Sequence, residues 1–224
     1  MSRWERIREI QAEMAAKRAN NERLHVEEAL ALMNVPKRHW WVKLDAIPDK
    51  AEHKAKIVEW HRRFLEARSQ EEFAPGLFLY GSPGTGKTAI AAGILRWAHG
   101  LRLSGYFVDA ARTLELSKGE TPVHTLAPES VWSYINRVDL LVLDDLGRGH
   151  RGTSYDSLVI TKIEHLIRDR LGSGLTTIVT SNGDLAAADI LAPGLANVLE
   201  ESCYPVKVSQ VDYRKVLAKK RGEL

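Results

Sequence analysis

One eight-residue stretch constrains this chain more than any other. Residues 81–88 read GSPGTGKT and are entered directly from the apolar run LFLY. The pattern G-x-x-x-x-G-K-[ST] demands a strand, a tight glycine-rich loop and a helix in immediate succession. Glycines at 81, 84 and 86 carry no Cβ, so the backbone can turn sharply and aim its N–H groups at phosphate oxygens. The helix that begins near Lys87 adds the positive end of its dipole. Gly81, Ser82, Pro83, Gly84, Thr85 and Gly86 are therefore expected to cradle the phosphates of a nucleotide. Lys87 supplies a point charge for the β- and γ-phosphates, and Thr88 a hydroxyl ligand for Mg²⁺.

Strand and helix alternate from the loop onward. LFLY (77–80) leads through the loop to a helix ending near Trp97, and YFVDA (106–110) to a helix ending near Lys118. A polar stretch, GETPVHTLAPES, reads as a surface loop, and a short helix near Trp132 precedes the strand DLLVLDD. A helix from about Tyr155 to Leu171 precedes TTIVTSN, and the end reads as a short strand and a basic helix. Apolar strands separated by helices predict an α/β fold with a parallel sheet covered by helices on both faces.

Two strand ends carry chemistry. VDLLVLDDLG places four apolar residues, Leu140 to Leu143, before two carboxylates. A buried parallel strand delivers Asp144 to the carboxyl edge of the sheet, where ligands of such folds bind. There it can hold Mg²⁺ together with Thr88, while Asp145 orients an attacking water. TTIVTSN ends in Asn182, placed to hydrogen-bond a γ-phosphate or that water. Arg214, in VDYRKVL, is a further candidate for nucleotide contact, set among Lys215, Lys219, Lys220 and Arg221 on what is otherwise a solvated basic face.

The region before the loop is different in kind. Trp4, Ile7, Ile10 and Met14 recur at three- and four-residue steps, with charges on the other faces. Such a stripe either docks on a partner or closes onto the chain's own core. A second helical stretch runs near 25–33, and Pro36 and Pro48 make the next segment a connector. Within it VPKRHWWVK interleaves basic and aromatic residues, which either stack on nucleic-acid bases or pack the connector against the domain. Residues 51–68 read as a helix with Ile57, Trp60 and Phe64 on one face. The expected organisation is a helical N-terminal region (1–34), a connector (35–50) and an ATPase domain (51–224).

Composition sets the remaining bounds. Among 224 residues, 44% hydrophobic content provides ample core, and 32 basic against 29 acidic residues leave a net charge of +3. That mild excess permits a nucleic-acid partner without demanding one. A single cysteine, Cys203, excludes an internal disulfide and a cysteine zinc site and suits a reducing compartment. The eight histidines are scattered. The charged start MSRWERIREIQAEM has no apolar signal core, and no stretch is long enough to span a membrane, so a cytoplasmic protein is expected.

Together these motifs resemble the DnaC/IstB-type AAA+ ATPases over roughly residues 35–217. VPKRHWWVKLDAI is similar to the segment that enters the ATPase core, GSPGTGKT is the Walker A loop, and VDLLVLDDLG with TTIVTSN looks like the Walker B and sensor 1 pair. VDYRKVL resembles the terminal sensor 2 motif. The resemblance implies an AAA+ fold, ATP with Mg²⁺, self-association at the nucleotide face, contact with single-stranded DNA, and loading of a replicative helicase, for which the stripe Trp4, Ile7, Ile10 and Met14 is the expected docking face. It leaves two other expectations open: an IstB-like transposase helper, and a non-hydrolysing, ATP-gated adaptor that inhibits its partner. Two departures stand out. Val198, in LANVLEE, falls where the family carries an arginine that reaches a neighbouring subunit, with Arg168 and Arg170 elsewhere as possible substitutes. Asp145 stands where many AAA+ proteins have glutamate.

Overall fold

The computed structural model describes residue 14 and residues 20–48, 51–118, 130–147 and 157–209. Five strands form one parallel sheet: β1 (Gly76–Tyr80), β2 (Gly105–Asp109), β3 (Leu140–Leu146), β4 (Thr176–Ser181) and β5 (Cys203–Lys207), in the order β2-β3-β4-β1-β5. β4 thus lies between β1 and β3, so the segment after it emerges between the glycine-rich loop and the acidic end of β3. The strands are apolar on both sides because both faces are covered. Leu77, Leu79, Leu140, Val142 and Ile178 point into one core, and Phe78, Leu141, Leu143 and Val179 into the other. This is the two-residue period of a strand read twice.

The first core is roofed by α1 (helical over 20–32), α2 (Glu52–Ser69) and α3 (Lys87–Gly100). The stripe expected on α2 is fully turned inward: Ile57, Trp60 and Phe64 are 3% exposed or less. Trp60 and Phe64 pack on each other and edgewise on Trp97, and the Trp60 indole N–H donates to the Pro75 carbonyl at 2.8 Å. The second core is closed by α4 (Thr113–Ser117), α5 (Val131–Ile135), α6 (Ser157–Gly172), α7 (Leu185–Leu191) and α8 (Pro193–Ser202). α7 and α8 lie where periodicity alone suggests no element. Their signals are local: Asp184 caps α7 by accepting from the Ala187 N–H at 3.1 Å, and Pro193 opens α8.

The end of α1 is built into this body. Asn34 takes a left-handed conformation (φ 57°), and the Val35 N–H bonds back to the Leu30 carbonyl at 2.9 Å, which closes the helix in a Schellman turn. Leu30 is wholly buried. The Met33 carbonyl accepts from the Phe107 N–H (2.8 Å), and the Asn34 amide donates to the Phe107 carbonyl (2.8 Å). Residues 33 and 34 thereby satisfy the open edge of β2. The expected boundary at residue 34 falls inside this contact, so residues 30–34 pack with the sheet. Of the N-terminal stripe, Met14 is about half exposed; Trp4, Ile7 and Ile10 lie outside the described residues.

In the connector, Lys37–His39 and Leu44–Ala46 form two 3₁₀ turns. Trp40 packs on the first core and its indole N–H donates to the Val35 carbonyl at 2.7 Å. Trp41 remains 46% exposed, with the guanidinium groups of Arg23 and Arg96 both over its ring at 5.2 Å. Of the two roles expected for this segment, the structure favours packing. No helix among the described residues is long and apolar enough to cross a membrane.

Candidate functional site

The glycine-rich loop joins β1 to α3 at the carboxyl edge of the sheet. Gly81 has φ 139°, and a Cβ there would stand 2.5 Å from the Val208 carbonyl oxygen, so only glycine fits between the loop and the end of β5. Gly84 and Gly86 have φ of 84° and 99°, the second forming the left-handed entry to α3. Thr85 is buried and its hydroxyl donates to the Ser82 carbonyl at 2.9 Å, which holds the loop closed on itself. Ser82 and Pro83 are exposed at its crest.

Lys87 is only 7% exposed. Its ammonium donates to the carbonyls of Gly81 (2.7 Å) and Ser82 (2.9 Å) and to Asn182 Oδ1 (3.0 Å). The Asn182 amide nitrogen in turn donates to Asp145 Oδ1 at 3.1 Å. Donor on one side and acceptor on the other fix the orientation of the amide, and the three residues form one polar row from loop to β3.

Asp144 and Asp145 do not continue β3 as a regular strand. Leu143 pairs with Val179 and Leu146 with Ser181, so one extra residue sits on β3, a β-bulge. Asp145 occupies the left-handed region at φ 64°. The bulge re-aims the two carboxylates away from the alternation a regular strand would impose, and such strain concentrates at functional sites. Thr180 anchors it: its hydroxyl donates to Asp144 Oδ1 at 2.6 Å and accepts the Asp145 N–H at 2.9 Å. Asp144 also accepts a hydrogen bond from Thr88. Burial raises the Asp144 carboxyl above its ordinary value; the bonds from Thr180 and Thr88 oppose this, and the charges of Asp145 and Asp109 reinforce it. Sequence reasoning passes over Thr180. Its one signal is a hydroxyl residue in an apolar strand, two positions before Asn182.

The structure therefore brings together Lys87, Thr88, Asp144, Asp145 and Asn182. The donor set fits a nucleotide with a divalent cation: a loop whose glycines leave room for close approach, a lysine resting on the loop's own carbonyls, and a hydroxyl–carboxylate pair suited to a hard cation. Arg214 lies outside the described residues. Val198 is wholly buried in the second core, so its position cannot face a neighbouring molecule; the exposed residues beside it on α8 are Asn197, Glu200 and Glu201. Arg170 is also wholly buried, which removes it as an interface arginine. Arg168 is held by Glu164 at 3.0 Å and by the Gly194 carbonyl.

No protein-family model matches the chain, and no curated protein matches its sequence. Solved structures do match. The structure of DnaI aligns with 79% of this chain and 93% of its own length, at 22% identity and a TM-score of 0.64. The DnaC helicase loader aligns over 78% of this chain and its entire length, at 24% identity and 0.59. The replication initiator DnaA bound to AMPPCP and single-stranded DNA aligns over 79% of this chain and 51% of its own, at 18% identity and 0.55. This chain thus has the fold shared by these DnaI, DnaC and DnaA structures.

Proposed function

We propose that the chain is an ATP-dependent helicase loader in DNA replication. The observation that carries this reading is the row Lys87–Asn182–Asp145 beside the Thr88–Asp144 pair, on a fold shared with a DnaC helicase loader. Bound ATP with Mg²⁺ would supply the phosphoanhydride to be cleaved and the cationic charge that stabilises its transition state. The protein's part is positional. Lys87 exchanges its bonds to the Gly81 and Ser82 carbonyls for phosphate oxygens. Thr88 and Asp144 hold the metal. Asn182 keeps Asp145 aimed at the attacking water and gives up its Lys87 partner when that lysine turns to phosphate, so it senses occupancy. Arg214, self-association at the nucleotide face, single-stranded DNA and a helicase docked on the N-terminal stripe complete the reading.

The test is Lys87→Ala. Charge-assisted hydrogen bonds contribute about 1.5–3 kcal/mol, so ATP affinity should fall about tenfold or more while the melting temperature without nucleotide changes little. Titration calorimetry and thermal melting measure the two. Parental ATP affinity in the variant would refute the nucleotide site.

A second reading, an ATP-gated adaptor without turnover, is favoured by α8. Its exposed residues beside Val198 are Asn197, Glu200 and Glu201, none of them cationic. Hydrolysis measured with helicase and single-stranded DNA present separates the two readings.

A further inference from the structure

The connector and the edge of the sheet line an open cavity of about 490 Å³ that includes Asp144. Three cations line it: Lys37 and Arg38 on the first 3₁₀ turn, and Arg112 at the end of the turn Ala110–Arg112 after β2. All three are exposed. Among the described residues neither Lys37 nor Arg38 pairs with a carboxylate, and Arg112 meets only Glu115, at 3.4 Å. Two acids share the lining, but both are engaged. Asp109 accepts the Ala111 N–H at 2.9 Å, and Asp144 accepts from Thr180 and Thr88. Three cations against two carboxylates leave the lining a formal excess of one positive charge.

The aromatic rings and the side-chain amide near the cavity are engaged as well. The Trp40 N–H is bound to Val35, the Asn34 amide to Phe107, and the Trp41 ring lies under two guanidinium groups. Exposed cations beside rings and an amide that already have partners suit a ligand held by its phosphates. We propose that this cavity holds the phosphodiester backbone of a single nucleic-acid strand, through Lys37, Arg38 and Arg112, without regard to sequence. The proposal rests on the reading that the chain acts on single-stranded DNA; it names where the strand lies and corrects how the connector contributes, by charge and not by stacking. Pro36 and the buried end of α1 fix the backbone that carries Lys37 and Arg38.

The test uses the full-length protein with a non-hydrolysable ATP analogue. Fluorescence anisotropy measures binding of labelled oligothymidylate, of an abasic phosphodiester of equal length and of a duplex, across a salt series. Each phosphate neutralised by a cation contributes about 0.7 to the slope of log affinity against log salt for a single strand. Lys37→Ala with Arg38→Ala should therefore flatten the slope by about 1.4 for both single-stranded probes, with ATP-analogue affinity and melting unchanged. Lys37→Arg with Arg38→Lys should restore it, and the exposed Lys56→Ala on α2 should leave it alone. If the parent binds the strand and the double alanine variant keeps its slope, the strand lies elsewhere and this proposal fails while the DNA reading stands. Parental protein that binds neither single-stranded probe sinks the DNA reading itself. Dependence on Lys37 and Arg38 confined to the base-bearing probe, or an equal effect on the duplex, also overturns the assignment.

Discussion

Among the described residues, each end of the sheet buries one basic side chain, and the two are held in different ways. At the carboxyl edge, Lys87 rests on two carbonyls of a loop and on an amide, all within a single turn of chain and one neighbouring strand end. At the amino edge, the Arg170 guanidinium, on α6, donates to Thr177 Oγ1 (3.0 Å), the Ile135 carbonyl (2.7 Å) and the Thr176 carbonyl (2.6 Å). It thereby ties together α5, α6 and the start of β4. Burial pushes its pKa down, and the charge of Asp139 opposes this. A planar fork that fills several fixed acceptors is a staple; a point charge on a flexible stem, resting on backbone oxygens, can move to a ligand. A buried cation is thus informative only once its partners are known.

The largest expected effect breaks this contrast directly. Arg170→Ala leaves several buried acceptors unsatisfied, at about 1–3 kcal/mol each, and should destabilise the fold by about 3 kcal/mol or more in denaturant unfolding. Arg170→Lys should recover little of that, because one ammonium cannot span three separated acceptors. If Arg170→Ala instead folds normally and no longer binds ATP, the two ends have been assigned the wrong way round.

Asp144→Asn sharpens the contrast at the other edge. The Asp144 carboxyl is raised by burial, so its protonated form is favoured by folding; that contribution is full below the unfolded carboxylate value of 3.8 and is lost as pH rises through the folded value. At neutral pH the ionised group is a burden on the nucleotide-free protein. The substitution should therefore raise the melting temperature without ligand while weakening Mg²⁺-dependent nucleotide binding at least about tenfold. A lower melting temperature would show that the carboxylate is structural, like Arg170.

The smallest effect concerns histidines. His39, His53 and His61 are all lowered by burial from 6.5, His39 further by Arg38, while His53 is partly offset by a bond to the Ser209 backbone and by Glu52. Their neutral forms are favoured by folding, so this stability is present above pH 6.5 and lost as pH falls through the lowered folded values. Melting temperature should decline gently on acidification from that point. This is opposite in sign to the Asp144 contribution, and the decline should be steeper in Asp144→Asn.

Much of the site is legible in the sequence because its parts obey local rules. The glycine loop, the apolar run ending in two carboxylates and the strand ending at Asn182 each announce themselves within a few residues, and strand period places them at one sheet edge. The features that escape such reading depend on contacts between distant segments. Val198 reads as a vacant arginine position in a linear comparison, yet helix α8 turns it into the core and Asn197 outward. Arg168 and Arg170 look alike in IEHLIRDRL, but two positions on a helix point in different directions, one to solvent and one to the centre of the molecule.

The sequence by itself determined the class of fold, the order of its strands and helices through β4, and the identity of the five residues that meet at the loop, since period and motif are local properties. Only the tertiary structure decided how those residues act together. The bulge that turns Asp144 and Asp145, the Thr180 hydroxyl that holds it, the role of Arg170 and the cover that residues 33 and 34 lay over β2 all arise from pairing and burial between segments far apart in the chain. Buried polar groups must find partners wherever the fold brings them, and no short stretch of sequence contains both members of such a pair.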